Sequence, residues 1–208
     1  TKGHEILSLK YTPSENVDLL PMYGVPLEDS LHGLIDQAAA ETTGSEFRDE
    51  VAAFLHESLH ASDSLADWAA RLMVRLFLNT PLVVFAPHLP AARQLAASVI
   101  EQEIRDPVVS TMLLNDVGRR LKEIDLHQQI VKGDSECNFF LEIQGRRRKV
   151  IFENERYQVP DEDMSYSIDD LAALLQQAPE RFSPNVALRC IVQQHLFPVA
   201  AYVAGPGE

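Results

Sequence analysis

The closing stretch SPNVALRCIVQQHLFPVAAYVAGPGE, from Ser183 to Glu208, constrains the fold more than any other part of the chain. Ser183 is placed to cap a helix, Pro184 suits its first position, and Ala187, Leu188, Ile191 and Val192 fall on one apolar face. Pro198 stops that helix. Val199 to Val203 then has the continuous apolar character of a buried strand, and Gly205-Pro206-Gly207 follows at its carboxyl end, where open α/β sheets bind ligands. Helix, buried strand and glycine turn in that order predict an α/β chain with a ligand turn at this end.

The rest of the chain fits that class. His4 to Tyr11 alternates as a short strand. Leu27, Leu31, Leu34, Ile35, Ala38 and Ala39 recur at helical spacing, and a Thr43 to Glu46 capping box predicts a second helix with Phe47, Val51, Phe54, Leu55 and Leu59 on its apolar face. Ser62 or Ser64 opens a third, whose stripe from Leu65 and Trp68 through Leu72, Met73, Leu76 and Phe77 predicts a core helix. Pro81 to Ala86 reads as a central parallel strand, and with the turn at Pro87 and Pro90 and a helix carrying Leu95, Ala96, Val99, Ile100 and Ile104 it makes half of a βαβ unit. A further helix begins at Pro107, with Val109, Leu113, Val117 and Leu121 in phase.

The texture changes at Leu126. Strand-like runs at Leu126 to Val131, Asn138 to Ile143, Arg147 to Glu153 and Arg156 to Val159 are separated by turn pairs Gly133-Asp134, Gln144-Gly145 and Asn154-Glu155. They predict a small antiparallel β meander inserted into the α/β core. An acidic linker at Asp161 to Asp163 closes it, and Ser167 with Asp170 caps a helix from Ile168 to Gln177 that Pro179 ends. The expected organisation is an α/β core part over 1–125, the inserted meander over 126–160, and a return to the core over 161–208.

A formal net charge of -13 argues against a nucleic-acid backbone as partner, since that needs a concentrated basic surface. No apolar run reaches the length of a membrane span, and the N-terminus lacks a basic-then-apolar signal, which predicts a cytoplasmic protein. Cys137 and Cys190 make neither a disulfide framework nor a metal cluster and read as small core residues in a reducing compartment. The start at Thr1 and the stop at Glu208 read as cut ends of a longer chain.

His56-Glu57-Ser58-Leu59-His60 fits H-E-x-x-H, whose histidines lie one helical turn apart and suit Zn²⁺, with Glu57 as general base; that makes a zinc hydrolase one alternative. The longer zinc-protease continuation is missing and no third ligand is nominated, so two half-exposed helix histidines are the better reading. Arg146 to Lys149 reads as a solvated hairpin edge that resists strand addition. His88 follows the expected strand and Asn115 sits in a helix; neither is assigned a role. No P-loop and no G-x-G-x-x-G occurs. The substrate-binding candidates are Ser183, Asn185, Arg189, Gln193 and Tyr202 as polar handles, with Gly205 and Gly207 permitting close backbone approach to a carboxylate or phosphate.

SPN, Arg189, Gln193, Pro198 and AYVAGPGE resemble the signature of the bacillithiol-biosynthesis cysteine-adding enzymes, the BshC cysteine ligase family. EFRDEV at Glu46 to Val51, NDVG at Asn115 to Gly118, CNFFLE at Cys137 to Glu142 and PERFSPN at Pro179 to Asn185 follow in the family's order. The resemblance implies a Rossmann-like core, of which this chain is an internal piece, and a parent enzyme that condenses L-cysteine with glucosaminyl-malate. It also implies ATP to activate the cysteine carboxylate, a homodimer built on a coiled coil in the parent, and Glu208 as a further substrate-binding residue. On this reading the piece alone is inactive. The alternative from another class is a non-catalytic scaffold or interaction domain.

Overall fold

The computed structural model describes residues 22–42 and 44–203. The expected strand at His4 to Tyr11, Thr43 of the expected capping box and the glycine turn with Glu208 lie outside them. The chain divides into two compact units, Thr1–Ala86 and Pro87–Glu208.

In the first unit, three helices among the described residues stand where helical spacing predicts them, α1 (Ser30–Glu41), α2 (Arg48–His60) and α3 (Leu65–Leu76), but Phe47 and Val51 of the apolar face expected for α2 are exposed. Leu31, Ile35 and Leu59 are buried, with Leu55, Leu65 and Trp68 packed around them. The Ser64 hydroxyl caps α3 by accepting from the Asp67 amide at 3.2 Å. The Trp68 indole donates to Ser58 Oγ at 3.0 Å, which gives a half-buried polar tip its partner. Two expectations change. α2 starts at Arg48 with Phe47 in the capping position and no side-chain cap. Among the described residues α3 meets the small core through Leu65 and Trp68, and Met73, Leu76 and Phe77 at its far end are exposed.

Pro81 to Ala86 forms no strand and pairs with none among the described residues, and Leu82, Val83, Val84 and Phe85 are exposed. An apolar run supplies side chains for burial, but a strand exists only where a second backbone answers its N–H and C=O groups.

The second unit is built on a five-stranded antiparallel sheet: β1 (Glu136–Ile143), β2 (Arg146–Glu153), β3 (Arg156–Val159), β4 (Met164–Tyr166) and β5 (Phe182–Pro184), in the order β4-β3-β2-β1-β5. Gln144 and Gly145 (φ 51 and 74) and Asn154 and Glu155 (φ 52 and 61) all have positive φ, as the two-residue hairpin turns of type I′ require. The predicted meander is present, widened at its two edges by β4 and β5. Leu126 to Val131 forms no strand; Leu126 and Val131 are exposed, and Gln128 folds over Gly118, where a Cβ would stand only 2.2 Å from Gln128 Nε2.

Four helices complete this unit: α4 (Pro90–Arg105), α5 (Val109–Glu123), α6 (Ile168–Gln177) and α7 (Val186–Leu196). Pro90, expected in the turn before α4, is the first residue of that helix, and Leu95 of its expected apolar face is exposed, whereas Ser167 and Asp170 cap α6 reciprocally, as expected. Phe139, Leu141 and Ile143 of β1, with Val150, Tyr157 and Val159, form the core against Ile100 and Ile104 of α4, Leu171 and Leu175 of α6, and Leu188 and Val192 of α7. The buried Tyr157 hydroxyl donates to the Ile104 carbonyl at 2.8 Å.

α5 reverses the prediction made from its periodicity. Its buried residues are Thr111 and Gly118, while Val109, Leu113 and Val117 of the apolar stripe are exposed. Ser183 and Pro184 belong to β5, and α7 begins two residues later than expected, at Val186 with Asn185 as its cap. Val199 to Val203 forms no strand, and Tyr202 and Val203 are exposed.

Candidate functional site

The site grows from an irregularity in β1. Glu136 pairs with Ile151 and Phe140 with Lys149, so β1 spends four steps where β2 spends two. Such a bulge re-aims side chains, and Cys137, Asn138 and Phe139 are buried in succession instead of alternating. Asn138 thereby reaches the interior between α5 and α7.

Asn138 is fully buried, and its side-chain amide is satisfied on all sides. Its Nδ2 donates to Ser110 Oγ at 2.6 Å and Thr111 Oγ1 at 2.9 Å. Its Oδ1 accepts from Lys132 Nζ and Asn185 Nδ2, each at 2.8 Å. The backbone amides are tied in as well: Asn138 N donates to Glu103 Oε1 at 3.3 Å, and Asn185 N donates to the Asn138 carbonyl at 2.9 Å. The Ser110 hydroxyl donates to Glu103 Oε1 at 2.5 Å, Thr111 donates to the Glu136 carbonyl at 2.6 Å, and Lys132 Nζ donates to the Cys137 carbonyl at 2.6 Å. Asn115 extends the network through Nδ2 to the Lys132 carbonyl and Asp134 Oδ1, both at 3.0 Å.

The electrostatics follow from burial. Desolvation lowers the Lys132 pKa below the ordinary lysine value, against the opposing pull of Glu136, Cys137 and Glu103. Burial, reinforced by Glu103, pushes the Cys137 thiol up to about 12, so it stays protonated and inert at neutral pH.

Above the network lies a cleft of about 250 Å³ between α5 and α7, with Ser110 and Asn138 at its base and Leu113, Leu114, Val117 and Ile191 among its walls. The exposed apolar stripe of α5 is thus one wall of a cleft. Because the Ser110 proton is directed to Glu103, Ser110 offers an occupant a hydrogen-bond acceptor. The lining holds no cation, so a triphosphate does not fit this cleft.

The predicted site residues separate. Ser183 faces Arg147, whose Nε donates to its hydroxyl at 3.0 Å while Nη2 donates to the Pro184 carbonyl at 3.2 Å and the guanidinium stacks 4.3 Å from the Phe140 ring centre. Arg147 is therefore a structural clamp between β2 and β5, where a solvated edge was expected. Asn185 joins the Asn138 network and caps α7, its Oδ1 accepting from the Ala187 and Leu188 amides at 3.0 Å each. Arg189 Nη2 donates to the Tyr202 hydroxyl at 3.2 Å. Gln193 is partly exposed on α7. Gly205, Gly207 and Glu208 lie outside the described residues.

Glu103, Ser110, Thr111 and Lys132 were missed by sequence reasoning. The available signal was Asn138 itself, an amide inside an apolar strand, which demands buried partners.

In the first unit, the H-E-x-x-H histidines do not act together. His56 Nε2 meets Asp36 Oδ1 at 2.9 Å and its Nδ1 meets His32 Nδ1 at 2.6 Å, while His60 is exposed.

The family model described as "Bacillithiol biosynthesis BshC, N-terminal Rossmann-like domain" matches residues 12–208. A Salinibacter ruber protein, provisionally named cysteine ligase BshC, is 31% identical over 205 residues, covering 99% of this chain and 37% of its own length. Proteins of the same name from Symbiobacterium thermophilum (33% over 196 residues; 88% of this chain, 35% of theirs) and Bacillus cytotoxicus (31% over 162 residues; 78% and 30%) are also similar. The chain spans roughly a third of the length of these curated relatives. Their printed name gives the reaction class as ligase. Three of the sequence landmarks, NDVG, CNFFLE and PERFSPN, supply Asn115, Asn138 and Asn185 to the one network.

Proposed function

Because this chain belongs to the bacillithiol-biosynthesis BshC family, as its N-terminal Rossmann-like domain, we propose that the full-length protein is a ligase joining L-cysteine to the amine of glucosaminyl-malate to give bacillithiol. The observation that carries this reading is the family match across 12–208, together with the cysteine-ligase name of the relatives. Amide formation requires the cysteine carboxylate to be activated, and ATP is the proposed co-substrate. Its phosphates belong outside the apolar α5/α7 cleft, and the glycine turn at Gly205 and Gly207 is the proposed contact, through backbone amides.

The proposed substrate-binding residues remain Ser183, Asn185, Arg189, Gln193, Tyr202, Gly205, Gly207 and Glu208, with two roles refined by their contacts. Asn185 is a positioning residue: it fixes the start of α7 to β1 and so sets where Arg189 and Gln193 stand on the following turns. Ser183, held by Arg147, positions β5. Arg189 binds the malyl carboxylates, and Glu208 holds an amine. The parent is a cytoplasmic homodimer, the meander is an insertion in its Rossmann-like core, and the 208-residue chain alone is inactive. None of the described helices is long and apolar enough to cross a membrane.

The test is product formation by the full-length protein supplied with cysteine, glucosaminyl-malate and ATP, read by mass spectrometry of the thiol product. A folded full-length protein that forms none would overturn the ligase reading.

A further inference from the structure

We propose that His32 and His56 form a binding site for one divalent transition-metal ion, which clips α1 to α2. The two rings come from different helices, are 9° from parallel and have centroids 4.9 Å apart, with Nδ1 facing Nδ1 at 2.6 Å. That centroid distance is only the N···N contact plus two ring radii. The imidazoles therefore meet edge to edge in nearly one plane, not face to face, and the two Nδ1 atoms point at one another along a common line.

Two imidazole nitrogens that face each other across so short a gap are also placed for one metal ion to bridge them. Zn²⁺–N bonds of about 2.0–2.1 Å at a tetrahedral angle set the nitrogens about 3.3–3.4 Å apart, so on metal binding the two rings part and each turns out of the common line. Imidazole suits zinc, nickel and copper. The far side of the pair is prepared as well: Asp36 Oδ1 lies 2.9 Å from His56 Nε2, at 30% side-chain exposure for the histidine. A carboxylate on the outer nitrogen orients the ring and leaves the inner nitrogen to ligate. Among the described residues no group of three His, Cys, Asp or Glu side chains surrounds one point, so water completes the coordination. The ligand pair differs from the one the H-E-x-x-H spacing suggests: His32 replaces His60 because the partner comes from the neighbouring helix.

Isothermal titration of the whole chain with nickel chloride, and separately with zinc chloride, tests this, alongside Cu²⁺ electron paramagnetic resonance to count nitrogen ligands. The expected result is one saturable ion per chain and two nitrogens on copper. His32→Ala and His56→Ala each abolish binding, His60→Ala leaves it unchanged, and Asp36→Asn weakens it by about ten- to a hundredfold. Circular dichroism checks that helix content is retained, and His32→Asn and His56→Asn replace any alanine variant that loses it. Absence of saturable binding, binding that survives both histidine substitutions, or binding lost in His60→Ala would each overturn the proposal.

Discussion

Asn185 meets Asn138 twice: its backbone amide donates to the Asn138 carbonyl at 2.9 Å, and its side-chain Nδ2 donates to Asn138 Oδ1 at 2.8 Å. The first helix-capping residue of α7 and the bulged residue of β1 are thus one unit. Removing either leaves buried polar groups of the other unanswered, and that cost exceeds the net worth of the bonds themselves.

Asn138→Ala is therefore expected to destabilise the chain by about 2–4 kcal/mol, because Ser110, Thr111, Lys132 and Asn185 each lose a partner in the interior. Asn185→Ala loses the α7 cap and costs about 1–2 kcal/mol. Urea unfolding of the two single variants and the double should give a coupling of about 0.5–3 kcal/mol. Strict additivity would mean that the two asparagines act independently.

Glu155 sits at φ 61 in the β2–β3 turn, a conformation that a side chain bearing Cβ resists. Glu155→Gly should raise stability by roughly 0.5–1 kcal/mol, the relief of the positive-φ strain exceeding the added chain entropy of glycine. A lowered thermal midpoint would contradict this account of the turn.

The Cys137 thiol, raised from 9.0 to about 12 by burial, keeps its proton in the native state when the unfolded chain has lost it. Its contribution to stability is therefore fully present below pH 9 and is lost as pH rises toward 12, with a slope of up to about 1.4 kcal/mol per pH unit. Tyr157, raised chiefly by burial, acts in the same sense above its ordinary value. Lys132, lowered by burial, acts in the opposite sense and offsets part of the loss. Cys137→Ala should flatten the fall in urea midpoint between pH 9 and 11. In the native wild type at pH 8, iodoacetamide should label the exposed Cys190 and spare Cys137.

Arg189 is the predicted carboxylate-binding handle, and its Nη2 is held by the Tyr202 hydroxyl. In the full-length protein Arg189→Ala should lower kcat/KM for glucosaminyl-malate by at least about a hundredfold, near 3 kcal/mol, chiefly through KM. Tyr202→Phe, which keeps the guanidinium and removes only its orienting partner, should cost less. Equal kinetics in wild type and Arg189→Ala would remove Arg189 from the substrate site.

The sequence by itself determined what depends on a few neighbouring residues. Helical spacing and caps placed the seven α-helices of the described residues, Ser167 capped α6, and the pairs Gln144-Gly145 and Asn154-Glu155 set the two tight hairpins. The tertiary structure decided what depends on a remote partner. Phe182–Pro184 is a strand because β1 lies beside it, although locally Ser183 and Pro184 read as the start of a helix. Pro81 to Ala86 and Val199 to Val203 have the composition of buried strands and are not strands, because composition supplies side chains and pairing needs another backbone. α5 turns Thr111 and Gly118 inward, and its apolar stripe became the wall of a cleft. The candidate site was legible as three short landmarks far apart in the chain. That Asn115, Asn138 and Asn185 belong together, with Lys132 and Glu103, followed only when the β1 bulge brought a polar side chain inside and its hydrogen bonds had to be satisfied there.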